Sequence, residues 1–398
     1  MNKKKILIVS HAMELGGAER SLLGLLDSFD LSKVEVDLFL LRHQGELMGA
    51  SPEGINLLPP IPAYTVLARP MKDTLKEGHL LLTAARIVGN VCAGVYSKLH
   101  HHVDSAVALD YSHKFTCPFM PKIQPNKTYD LAISFLTPHY FVARKVKARK
   151  KLAWIHTDYK TVQVDVPSET RMWGAYDHIA SISEAVTESF LWVFPSLRDK
   201  ITLIENILPA GLIMEQASQP VPEGEISLEG IRLLSIGRYC YQKNFDSVPE
   251  ICARLVKDGL NVKWYIIGFG GSEELIRQKI REAHMEDRVI LLGKKENPYP
   301  YIKACDLYVQ PSRYEGKSVC VREAQVLCKP VVITNYSTSA SQLEDGVDGV
   351  IVPMDNEGCA AGIAALLRSP ERMKQLAENC SQRDVTNAEE INKIYALL

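Results

Sequence analysis

IRLLSIGRYCYQKNF, residues 231–245, runs from an apolar stretch through a glycine into a loop that carries Arg238 and Lys243. A short continuous apolar run, then a glycine turn, then a helical pattern marks a buried parallel strand entering a βα unit. The unit recurs downstream, with strands expected at 231–237, 262–268, 289–293, 307–311, 331–335 and 350–352 and helical segments between them. Upstream lies a second series: strands at 6–10, 34–41, 130–135, 151–156, 178–183 and 201–205, and a helix over 18–29. Such alternation predicts an α/β protein of two doubly wound, Rossmann-like domains facing a cleft, with ligands outside the carboxyl ends of the strands.

The division between the two series falls in LPAGLIMEQASQPVPEGEISLEG, residues 208–230, whose Pro, Gly and acidic residues read as a linker. The expected organisation is therefore an N-terminal domain over 1–207, the linker over 208–230 and a second domain over 231–370. A helical segment over 371–398 is expected to pack back on the first domain. Residues 58–125 are irregular, with prolines at both ends and helical patches inside, and read as an elaboration on the first sheet. Within them, the apolar stretch at 79–95 is interrupted by Arg86, Gly89 and Asn90 and reads as too short and broken to cross a membrane.

Bulk composition narrows the function. The 398 residues are 46% hydrophobic and 23% charged with a formal charge of -1, so neither a disordered chain nor a basic nucleic-acid binder fits. The apolar run after the three N-terminal lysines stops at Ser10 and His11, too short for a secretory signal. Nine cysteines without a C-x-x-C pair point to reduced thiols and a cytoplasmic protein. The densest charge run, ARKVKARKK at 143–151, reads as a solvated helix face or, functionally, as a contact with anionic lipid headgroups.

Three elements suit a reaction that expels a nucleoside diphosphate, where negative charge grows on phosphate oxygens. Gly16 and Gly17 sit between the first strand and the first helix, where a backbone and free helix amides approach an anion closely. Arg238 and Lys243, five residues apart after a buried strand, need an anion or a carboxylate to balance them. In SRYEGKSVCVREAQVL, Glu315 precedes a helix start and Glu323 follows eight residues on, with the amides of Lys317, Ser318 and Val319 between them. Such carboxylates accept hydroxyl hydrogen bonds from a donor sugar and from a ribose diol.

GGAER at 16–20, GRYCYQKNF at 237–245 and EGKSVCVREA at 315–324 together resemble the retaining GT-B glycosyltransferases of family four, the glycosyl transferases group 1. WIHTD at 154–158, SISEAV at 181–186, CDLYVQPS at 305–312, PVVIT at 330–334 and DGVDGVIVP at 345–353 extend the resemblance across both domains. The resemblance implies a GT-B fold and a retaining, hexosyltransferase-type reaction that requires no cofactor and no metal. The donor is a nucleoside diphosphate sugar, a UDP-sugar ahead of a GDP-sugar. The acceptor is a saccharide or a lipid-linked saccharide of cell-surface polysaccharide or glycan assembly, handled on the inner face of the membrane with a peripheral membrane contact. Arg238 and Lys243 would bind the diphosphate, Gly16 and Gly17 approach it, and Glu323 hold the ribose. Glu315 and His156 would act at the donor sugar, with amides around Gly316, Lys317, Ser318 and Val319 on its hydroxyls and on phosphate oxygens. Asp158 would orient the acceptor. NYSTSASQLEDG, residues 335–346, departs from the family pattern: it lacks the glycine-rich turn, and Ser341 and Gln342 stand near the usual acidic place.

Other readings make distinct demands. A nicotinamide dehydrogenase is suggested by IIGFGGSEE, but its fingerprint needs a third glycine at position 273, which is Glu273. The same scaffold serves sugar-nucleotide epimerisation or hydrolysis, or a catalytically silent binding partner; the full set of charged residues speaks against the silent partner. His100, His101 and His102 are adjacent and do not share one helix or strand face as metal ligands would.

Overall fold

A computed structural model describes residues 3–102, 105–136, 138–227 and 229–398. They form two compact units, Met1–Ile207 with Glu389–Leu398, and Leu208–Ala388.

The first unit is built on a parallel sheet of β1 (Lys4–Ser10), β2 (Val34–Leu40), β3 (Asn56–Leu57), β4 (Tyr129–Ser134), β5 (Ala148–Ile155), β6 (His178–Ser181) and β7 (Ile201–Leu203), in the order β3-β2-β1-β4-β5-β6-β7. Ile6, Leu7, Ile8 and Val9 are buried because β1 is central and covered on both faces. The register Ile6↔Val36 and Ile6↔Leu131 aligns three apolar runs. β3 was not among the expected strands. It has two residues, both exposed at the sheet edge, too few for a pattern to show.

The second unit repeats the plan with β8 (Ile231–Ile236), β9 (Val262–Ile267), β10 (Val289–Gly293), β11 (Leu307–Gln310), β12 (Val331–Thr334) and β13 (Val350–Val352), ordered β10-β9-β8-β11-β12-β13. Strand order reverses between β1 and β4 in the first unit and between β8 and β11 in the second. At such switch points the loops diverge to opposite faces and leave a crevice at the carboxyl ends.

Three sequence expectations are corrected. Residues 208–230 are not a linker. Helix Ala210–Ala217 puts Ile213 and Ala217 beside Leu208 in the core of the second unit, and Lys295 pairs with Glu225 at 2.7 Å. The prolines and glycines there shape turns of a packed segment. Nor do residues 371–398 belong to a single unit. Helix Pro370–Ser381 buries Leu376 in the second unit, and the chain joins the first unit only from Glu389, where the Tyr395 hydroxyl accepts from the Asp30 amide at 2.7 Å. ARKVKARKK is only in part helical. It ends helix His139–Lys145 and then begins β5, because the residues that follow it supply the buried half of that strand.

The apolar stretch in the elaboration is also longer than expected: Leu80–Leu99 is one helix of 20 residues, long and apolar enough to cross a membrane. Gly89 does not break it. A Cβ there would stand 3.0 Å from the Tyr111 carbonyl oxygen, so glycine is what lets helix Val107–Thr116 pack closely. Arg86 turns inward instead of interrupting the apolar surface, donating to the carbonyls of Val66 at 2.6 Å and Arg69 at 2.9 Å.

Candidate functional site

In the second unit the loop after β8 is braced by the loop after β9. The amides of Gly237 and Tyr239 donate to the carbonyls of Ile267 and Phe269 at 3.0 and 2.9 Å. Gly268 and Gly270 both take φ 154°, and a Cβ on them would fall 1.9 Å from the Gly237 oxygen and 2.5 Å from the Tyr239 oxygen. The glycines of IIGFGGSEE are thus consumed by protein backbone, which accounts for a dinucleotide-like pattern without its third glycine. Held this way, the β8 loop makes a 3-10 turn at Tyr241–Lys243 that ends on left-handed Asn244, φ 58°.

That turn aims Lys243 at Glu315, which follows β11. Nζ lies 2.5 Å from Oε1, and the side chains are 15% and 6% exposed. Burial pulls the Lys243 ammonium towards neutrality, but the Glu315 carboxylate outweighs it and leaves its pKa raised. Lys243 is therefore a permanent cation at this switch point. Glu315 also accepts from Ser312 Oγ at 2.6 Å and Gln242 Nε2 at 3.2 Å, and Ser312 in turn accepts from Gln310, whose amide oxygen accepts from Tyr308. Arg313 clamps the two loops together. It grips Asp246 with two bonds of 3.0 and 2.7 Å and donates to the Tyr241 carbonyl at 2.6 Å. Gln242, Gln310, Ser312 and Arg313 were not singled out in the sequence; only their nearness to the two motifs hints at them. Arg238 is exposed on the same loop and takes no part in this network.

Gly316 and Lys317 lead into helix Val319–Val326, with Ser318 as its N-cap. The Gln342 amide closes on Ser318 from both sides, accepting from its backbone N–H at 2.5 Å and donating to its carbonyl at 3.2 Å. The unusual stretch at 335–346 therefore has a structural use: a neutral, fully buried amide fixes the helix start. Buried beside it, Ser318 Oγ and Tyr336 OH have no partner among the described residues, the kind of orphan a ligand or water satisfies. Glu323, one turn into the helix, is fully buried and accepts from Tyr299 OH at 2.8 Å.

In the first unit, Gly16 is the N-cap of helix Gly17–Asp27 with extended backbone, and a Cβ there would meet the Glu19 carboxylate at 2.1 Å. His156 follows β5 and packs on Phe135, ring centroids 4.6 Å apart. Burial lowers its pKa to about 4, only partly countered by a hydrogen bond with the Phe135 backbone, so the imidazole is neutral at pH 7. Its Nε2 has no partner among the described residues. Asp158 is occupied as a cap, accepting from the Lys160 amide at 3.0 Å and from Ser189 Oγ. A group that sequence reading missed lies close by in the chain. Asp110, Asp165 and Glu169 are ringed by Tyr140, Tyr111 and Tyr159, with Tyr111 OH 2.7 Å from Asp165 and Tyr159 OH 3.0 Å from Glu169. No motif announces it, since its members come from three helices and a turn.

Two parallel sheets of the same reversed strand order define the GT-B class of α/β proteins. Within the second unit, residues 222–383 match the family profile of the glycosyl transferases group 1. A Campylobacter jejuni protein, N-acetylgalactosamine-N,N'-diacetylbacillosaminyl-diphospho-undecaprenol 4-alpha-N-acetylgalactosaminyltransferase, is 29% identical over 180 residues, 45% of this chain and 48% of that one. The alpha-D-kanosaminyltransferase of Streptomyces kanamyceticus is 27% identical over 152 residues, 37% and 39% of the two chains. The chain thus spans about half the length, or less, of these curated relatives. Over 99% of its length it shares the fold of Anabaena HepE, solved with UDP-glucose, with a TM-score of 0.68, 17% identity and all of that chain covered.

Proposed function

We propose that the chain is a retaining glycosyltransferase that moves a hexose-type sugar from a nucleoside diphosphate sugar, UDP ahead of GDP, to a saccharide or lipid-linked saccharide acceptor. The observation that carries this reading is the buried Lys243–Glu315 pair beside the start of helix Val319–Val326, with Glu323 one turn further in. Lys243, Arg238 and the first-turn amides would receive the charge of the departing diphosphate. Glu323 would take the ribose hydroxyls, and Glu315 the donor sugar. In the first unit, which we assign to the acceptor, neutral His156 is suited to a sugar hydroxyl and unsuited to a phosphate. Gly16 and Gly17 offer a helix N-terminus near the transferred group, and Asp158 acts through its cap.

In the step proposed, the bond between the anomeric carbon and the phosphate oxygen breaks with its electron pair on the phosphate. The acceptor oxygen bonds to the same face of that carbon, and its proton passes to the leaving phosphate oxygen. Two similarities support the substrate classes: HepE was solved with UDP-glucose, and the Campylobacter relative is named for α-transfer to a diphospho-undecaprenol acceptor. The nine free thiols suit a reducing compartment.

Thermal-shift measurements with UDP, GDP, ADP and their sugars test the donor, since a ligand of the native state alone raises its stability. The expected result is a rise with a uracil nucleotide that Lys243→Ala abolishes. No rise with any nucleotide would sink the reading. NMR of the product from an α-linked donor should show an α-anomer. Release of free nucleotide and sugar from donor alone would instead favour hydrolysis.

A further inference from the structure

A cavity of about 250 Å³ opens within the second unit, walled by helix Val319–Val326, the segment at 340–344 and the chain just after helix Pro370–Ser381. No residue proposed above to touch the donor lines it. Its wall carries five charged side chains, Arg322 and Arg383 against Glu344, Asp348 and Asp384.

Four of the five have partners. Arg383 lies 2.9 Å from Glu344 and 3.5 Å from Asp348, which also accepts from the Glu344 amide at 2.8 Å. Asp384 accepts from the Thr386 amide at 2.8 Å and from its hydroxyl at 2.5 Å. Arg322 is the exception. It is half-buried and makes no ion pair among the described residues, and its Nε is buried without a hydrogen-bond partner. A guanidinium drawn out of water without a counter-charge is unfavourable, so the position calls for an acceptor. The segment that departs from the family pattern supplies none: Ser341 and Gln342 are neutral, and Glu344 is engaged by Arg383.

We infer that this cavity is a subsite for the carboxylate of an acidic sugar, gripped by Arg322. A guanidinium offers parallel N–H groups to a planar carboxylate. Phosphate suits the place poorly, because three acids line the cavity and repel a dianion more strongly than a monoanion. The volume far exceeds that of a carboxylate alone, leaving room for the ring that bears it. Hydroxyls of that ring can donate to Glu344 and Asp384, which remain acceptors. That the carboxylate arrives on a sugar rests on the transferase reading.

NMR titration of the full chain with sodium glucuronate, glucose and inorganic phosphate at one ionic strength tests this. Glucuronate should bind at least about tenfold more tightly than either of the others. Arg322→Met should erase that preference while melting no lower than wild type, since it removes an unpaired charge. Arg322→Lys, which keeps the charge without the fork, should retain part of it. Should the methionine variant fold poorly, Ser341→Asp on the exposed wall should abolish glucuronate binding by repulsion. The source of the carboxylate is read separately. If it belongs to the donor, UDP-glucuronate binds more tightly than UDP-glucose and Arg322→Met removes the difference; if to the acceptor, both donors bind alike and glucuronate still binds beside UDP. Glucuronate that binds no better than glucose, phosphate that binds better than both, or a preference that survives Arg322→Met would each overturn the inference. Any of these with UDP binding intact leaves the transferase reading standing, whereas glucuronate binding without UDP binding sinks that reading and keeps the subsite.

Discussion

Lys243 and Glu315, 72 residues apart in sequence, form a 2.5 Å ion pair across the point where the second sheet reverses its strand order. Each holds the other's charge in a site that excludes most water. Removing one partner of such a pair leaves a buried charge uncompensated, at a cost of about 3–5 kcal/mol. Lys243→Met should therefore lower unfolding stability by an amount in that range, reduced by the hydrogen bonds from Ser312 and Gln242 that remain on Glu315. Lys243→Met with Glu315→Gln should recover most of the loss in urea melts, yet still bind UDP at least about tenfold more weakly than wild type. If the double variant binds UDP normally, Lys243 is a structural cation only.

Glu323 offers a separable prediction. It is buried against Tyr299 and is proposed to hold the ribose. Glu323→Gln keeps the volume and one acceptor, so the fold should survive. Calorimetric titration should show UDP weakened about 10- to 150-fold, in line with a lost charge-assisted hydrogen bond of about 1.5–3 kcal/mol. Pyrophosphate should bind as before. Equal weakening of both would place Glu323 on the phosphates.

The strands were legible because each central one is a continuous apolar run that parallel pairing buries on both faces; 289–293 and 350–352 needed no adjustment, and most others moved by a residue or two. Lys243 and Glu315 were legible as members of compact motifs. Their supporting cast was not: Gln310 reaches Ser312 only because the chain turns directly after β11, and Gln342 meets Ser318 from 24 residues away. Those pairings depend on packing that no local spacing encodes. The 208–230 segment misled for a related reason. Prolines and glycines announce turns, but whether a turn lies between units or against a core is decided by Leu208 and Ile213 finding apolar neighbours.

The carboxyl–tyrosine group of the first unit predicts a pH dependence. Burial raises Asp110 to about 6 and Glu169 to about 7, with the neighbouring acids adding to each and their tyrosine partners opposing. Unfolded, both ionise in the ordinary carboxylate range. Between about pH 4 and pH 7 the unfolded chain has released protons that the native state keeps, so this group makes stability fall as pH rises through that window. The contribution is flat on either side. Glu169→Gln, which retains an acceptor for Tyr159 and Trp173, should melt above wild type at pH 8 and level with it at pH 4. A gain of the same size at both pH values would mean better packing instead.

Gly268 tests whether the brace behind the β8 loop matters to the site. Its φ of 154° lies where side chains are rarely found, and a Cβ would stand 1.9 Å from the Gly237 carbonyl oxygen, a backbone atom with no rotamer to change. The Gly268→Ala chain must separate the two loops, breaking the bond from the Gly237 amide to Ile267, 3.0 Å in the native structure. A loss of about 2–4 kcal/mol in stability is expected from backbone strain together with that hydrogen bond. Because the displaced loop carries Arg238 and Lys243, UDP affinity should fall as well, measured well below the melting point so that the folded fraction is unchanged. Gly271→Ala, where a Cβ meets nothing within 4 Å, is the matched control and should change neither quantity. Equal behaviour of the two variants would show that the loop tolerates displacement and that the lysine finds the carboxylate without the brace.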